Sequence, residues 1–150
     1  MKNSVIIIVL ILVFIGGFLF FYQSRPLAQK TPNTTEIVTS SQKWETKTDE
    51  QANVTVVVTP LDLSSQSSQW KFDIGMNTHS VKLGEDMIKS AVLIDDQGKE
   101  YAPVNWNGPV GGHHREGVLS FNAITPVPKS VNLKISGIGS VVRTFSWKLQ

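Results

Sequence analysis

Cysteine is absent from the 150 residues, which excludes disulfides, thiolate metal centres and a cysteine nucleophile. An excess of charge is missing as well: from Gln51 onward nine Lys and Arg face eight Asp and Glu. No basic stripe marks a phosphate footprint, so nucleic acid is not an expected partner. Histidine is scarce, and the three present are His79, His113 and His114. Beyond Tyr22 no run keeps a helical period, and the length that remains suits one modest domain.

One long hydrophobic run is present, "SVIIIVLILVFIGGFLFFY" from Ser4 to Tyr22. It carries no charge and has about the length needed to cross a hydrocarbon core of roughly 30 Å as a helix. A cleaved signal peptide fits less well, because its apolar region is shorter and the best cleavage candidate here is Pro26-Leu27-Ala28. The expected organisation is a short cytoplasmic head (1–4), a transmembrane anchor (5–22) that has the lipid bilayer as its partner, and a flexible polar stalk (23–52). The protein is thus expected in the cell membrane, single-pass, with its C-terminal domain (53–150) outside the cytoplasm. The stalk is rich in Thr, Ser, Gln and Asn and has too little apolar surface to offset the entropy of ordering. Its Asn33-Thr34-Thr35, like Asn53-Val54-Thr55, fits a glycosylation triplet but reads as ordinary polar sequence. Trp44 is its odd member, a residue suited to folding back onto the domain.

After the stalk the period becomes two. Trp70, Phe72, Ile74 and Met76 alternate with Lys71, Asp73 and Gly75, as in a half-buried strand. The same alternation runs through "VNLKIS" (131–136) and "FSWKL" (145–149), while "VTVVV", "SAVLI" and "GVLSF" have strand composition. Asp95-Asp96-Gln97-Gly98 reads as a tight turn. Short strands separated by Gly, Pro, Asn and Ser predict an all-β fold, an Ig-like antiparallel β-sandwich of about seven strands.

The segments "NTHSV", "WNGPVGGHHR" and "RTFSWKL" carry a resemblance to a family of uncharacterised, membrane-anchored bacterial proteins with one exported β-sandwich domain. The resemblance covers most of residues 53–150. It implies fold and location and transfers no activity and no catalytic residue.

The stretch "VNWNGPVGGHHREGVLSF" is the candidate site. Gly108, Gly111, Gly112 and Gly117 with Pro109 predict a loop that visits positive φ and turns sharply. Trp106 is its expected anchor. Arg115 and the histidines are expected to donate to loop carbonyls, with Asp95, Asp96 or Glu116 as ionic partners for Arg115. The binding loop is therefore Trp106, Gly111, Gly112, His113, His114 and Arg115, and an unidentified protein is its expected partner. A metal reading competes. His113 and His114, with His79 as a third ligand, suit copper or zinc, and Met76 and Met87 are soft donors for copper(I). Ten residues separate these methionines, as in small β-sandwich copper chaperones, but the later spacing and a closing methionine are missing. No Gly-x-Ser-x-Gly elbow is present, and "SGIGS" precedes a strand where a phosphate loop would open a helix. The expected function is a membrane-anchored extracytoplasmic binding or assembly module, not an enzyme and without a cofactor. The alternative is an exported metal-binding domain.

Overall fold

The hairpin that opens the domain begins in sequence with no apolar alternation. The computed structural model describes residues 43–149, and within them Lys47–Gln51 forms β1, paired antiparallel with β2 (Val54–Asp62). Ala52 and Asn53 make the two-residue turn, at φ 50° and 59°. Two consecutive left-handed residues match the twist of a tight hairpin, and Asn tolerates that region better than most side chains. β1 thus lies within residues 23–52, the stretch expected as stalk. Backbone pairing to a Val-rich strand, rather than an apolar face of its own, orders β1. The head, the anchor and stalk residues 23–42 lie outside the described residues. Among the described residues no helix is long and apolar enough to cross a membrane.

Two antiparallel sheets follow. β3 (Gln69–Thr78) and β7 (His114–Asn122) join β1 and β2, with the short β6 (Asn105–Asn107) at the far edge, in the order β1-β2-β3-β7-β6. β4 (Ala91–Asp95), β5 (Glu100–Tyr101), β8 (Ser130–Ser136) and β9 (Val142–Lys148) form the second sheet, ordered β5-β4-β8-β9. Among the described residues the fold is an all-β sandwich with almost no helix, one turn at Met87–Ser90 and a 3-10 turn at Ile138–Ser140. The described residues hold nine strands where about seven were expected. β1 and β6 account for the difference, because neither KTDEQ nor NWN carries a period-two apolar signal.

The two inner faces make one core. Val56, Val58, Phe72, Ile74, Leu119 and Phe121 of the first sheet and Leu93, Leu133, Ile135, Phe145 and Trp147 of the second belong to it. Phe72 is its aromatic centre, edge-on to Phe121 at 5.7 Å and tilted against Trp147 at 5.4 Å. Such contacts add about 0.5–1.5 kcal/mol each beyond area burial. Trp44 packs against this core from outside, and Trp147 Nε1 donates to the Glu45 carbonyl at 2.7 Å.

Period two also carries two arginines inward. Arg143 is in phase with Phe145 and Trp147 and is 1% exposed. Its Nε lies 2.8 Å from Asp49 Oδ1, one Nη donates to the Gln51 carbonyl at 2.7 Å, and the other to the Ile138 carbonyl. One guanidinium thus ties the end of the β1–β2 hairpin to the second sheet. Burying a charge is tolerated only with this density of partners.

Candidate functional site

Asn107 pairs with Val118 and Trp106 with Leu119, so β6 delivers the chain onto the edge of β7 before the 108–113 loop begins. Gly111 and Gly112 sit at φ +86° and +105°, where other residues are strained. Gly108 and Gly117 do not, and their role differs from the expected one. A Cβ on Gly108 would come within 2.6 Å of the Trp106 ring, and one on Gly117 within 2.8 Å. These two glycines make room for the indole and for close approach of the facing backbone, since a Cβ would also meet the Glu116 carbonyl at 2.9 Å from Gly108 and the Asn107 carbonyl at 2.7 Å from Gly117.

Trp106 is half-buried rather than enclosed. Its Nε1 donates to the Pro109 carbonyl at 3.2 Å, and the Arg115 guanidinium sits 5.1 Å from its ring centre. Arg115 itself is 2% exposed. It donates from Nε to the Pro109 carbonyl and from Nη1 to the Glu85 carbonyl, both at 2.7 Å. The expected ionic partners Asp95, Asp96 and Glu116 are replaced by these carbonyls. Burial lowers the Arg115 pKa, and the Glu85 and Asp86 carboxylates oppose that shift. Arginine starts high enough that the charge persists at neutral pH. Two backbone contacts complete the frame: Thr78 N–H donates to the His113 carbonyl at 2.9 Å and Leu83 N–H to the Gly112 carbonyl at 3.2 Å. The loop is held from three directions, while Val110 at its tip is 78% exposed.

The three histidines do not converge. His79 and His114 have ring centres 6.3 Å apart at 81°, and His114 Nδ1 contacts Asn77 Oδ1 at 2.7 Å. His113 is exposed and serves the loop through its carbonyl. No three side chains of His, Cys, Asp or Glu gather into a metal site among the described residues. Met76 and Met87 are fully buried in the core, which removes both as surface thioether ligands. Of the three histidines and two methionines, only His79 and His114 are thus neighbours on the surface.

Asp95 is a turn residue. Its Oδ1 accepts from Gln97 and Lys99 N–H at 2.9 Å, and its Oδ2 from the Tyr101 hydroxyl at 2.9 Å. Arg143 went unseen as a structural residue, although the alternation of "FSWKL", extended two residues toward the N-terminus, places it in the buried phase. Asn77 was missed too, and the register Asn77↔His114 is the reason it matters.

No protein-family model matches the chain, and no curated protein is similar to it at a significant level. Two solved structures are similar in fold. A secreted protein from Mycobacterium tuberculosis, MPT63, is 14% identical with a TM-score of 0.41, over 69% of this chain and 92% of that one. A DUF4426 family protein from Pseudomonas aeruginosa is 10% identical with a TM-score of 0.39, over 68% of this chain and 90% of that one. At this distance neither protein's properties pass to this chain.

Proposed function

We propose that the protein is a non-catalytic, membrane-anchored, extracytoplasmic binding module whose recognition element is the 108–113 loop. The observation that carries this is the contrast between frame and tip. A buried arginine, an indole and two backbone hydrogen bonds hold the loop, yet the side chain at its apex, Val110, faces solvent. Loops fixed before encounter lose little entropy on binding, so an exposed apolar apex on a rigid base can enter a partner pocket without an ordering cost. The uncharged run at Ser4–Tyr22 supports membrane anchorage.

A photo-crosslinking residue at position 110, in the full chain on intact cells, tests this reading. A discrete crosslinked species should form from position 110 and not from Leu61, an exposed apolar residue of β2. Equal yield from both positions, or none from the loop, would remove the binding role. Val110→Asp should abolish crosslinking from position 113, where the side chain is exposed, while changing stability by less than about 0.5 kcal/mol.

A further inference from the structure

Asn77, at the end of β3, faces His114, the first residue of β7. Side chains two apart on a strand share a face, and cross-strand and diagonal neighbours lie within reach of one another. His79 lies in the bend just after β3, and its ring is 6.3 Å from that of His114. We propose that His79 and His114 form a two-imidazole site for a divalent transition cation, copper(II) foremost, with Asn77 as the positioning residue. The inference stands apart from the loop's binding role.

Geometry admits the ion. With metal–nitrogen bonds of about 2.0–2.1 Å, two imidazoles on one cation place their ring centres about 5 to 6.4 Å apart between tetrahedral and linear angles. The observed separation lies within that range. Orientation supports it further. The Asn77 Oδ1 oxygen accepts, so His114 Nδ1 carries the proton and Nε2 keeps its lone pair for the metal. A hydrogen bond from the second ring nitrogen is how metal-binding histidines are usually aimed. Both rings are exposed, so the cation's remaining positions can hold water. Two neutral nitrogen donors without thiolate favour copper(II) over zinc, and exclude calcium and magnesium, which need oxygen donors.

Equilibrium dialysis and electron paramagnetic resonance of the full chain in detergent micelles, with copper(II), zinc or magnesium as the only added metal, test the proposal. One equivalent of copper(II) should bind with nitrogen couplings from two imidazoles, zinc should bind more weakly, and magnesium not at all. His79→Ala and His114→Ala should each weaken copper binding more than about tenfold, whereas His113→Ala should not. Asn77→Asp should strengthen it and Asn77→Leu weaken it, on the order of tenfold, as outer ligands of metal-bound histidine do. Circular dichroism of each apo variant, with His79→Gln as a milder replacement, separates lost ligation from lost folding. Binding that survives in both His79 and His114 variants, that disappears equally in His113→Ala, or that shows one nitrogen coupling in the wild type would overturn the site.

Discussion

Gly108 shows how a residue can be required for what lies above it rather than for its own backbone. Gly108→Ala should cost about 1–3 kcal/mol through its clash with the Trp106 ring. Trp106→Ala should cost about 2 kcal/mol, less than for a fully enclosed indole because the ring is half-buried. A double-mutant cycle by urea denaturation should find the pair less damaging than the sum, because the ring's part of the clash disappears while the Glu116 carbonyl, 2.9 Å from the added Cβ, remains. Strict additivity would show that the ring plays no part in the cost. Asp95 makes a second prediction. Burial pushes its pKa up, but hydrogen bonds from Lys99 N–H, the Tyr101 hydroxyl and Gln97 N–H outweigh this and set it below the usual value. A carboxyl depressed in the folded state adds stability above its unfolded pKa and loses it as pH falls through the folded one. Melting temperature should therefore drop below about pH 4, and less steeply in Asp95→Asn; parallel curves would refute the assignment. For Tyr101, burial and the Asp95 hydrogen bond raise the pKa, so its contribution is lost instead above about pH 10. At this scale Gly111 and Gly112 were legible, since a glycine pair in a loop signals positive φ. Gly108 and Gly117 were legible as glycines but not in purpose, because no pattern announces which ring will lie on them.

Among the elements, β1 is the one that sequence patterning conceals. Its residues Lys47–Gln51 contain no apolar side chain, and its place in the fold depends on main-chain pairing to β2 and on Arg143 from the opposite sheet. Arg143→Ala should destabilise the domain by roughly 3 kcal/mol, near the low end for a broken buried pair because Asp49 remains 23% exposed. Hydrogen exchange should locate the loss at the β1–β2 hairpin, whose amides should lose protection before those of β3 and β7. Uniform loss of protection would mean that the arginine stabilises the core at large. Strands β3, β8 and β9 were legible because each alternates apolar and polar residues, and β2 through its β-branched composition. The contribution of Arg143 was legible only through its phase, and charge obscured it.

The whole molecule depends on partners far apart in sequence. Strand order was not legible from periodicity: β7 inserts between β3 and β6, and the chain changes sheet after β3, after β5 and after β7. Residues 43–149 should fold alone, with a β-type circular dichroism spectrum and a cooperative melt. A fragment starting at Asn53 should lack that cooperativity, because it deprives Arg143 of Asp49 and the Gln51 carbonyl, and Trp147 of the Glu45 carbonyl. Equal melting temperatures for the two fragments would show that the hairpin is an ornament. The Trp147 to Glu45 hydrogen bond has one more consequence. It joins residues 102 positions apart, so the chain enters and leaves this domain at the same place. A short Gly/Ser bridge could therefore join the two ends and new ends could be cut at the exposed Gln97-Gly98 turn, giving a circular permutant with the same sheets. The same closeness would let the domain be spliced into a surface loop of another protein, as a bead on a continuous thread.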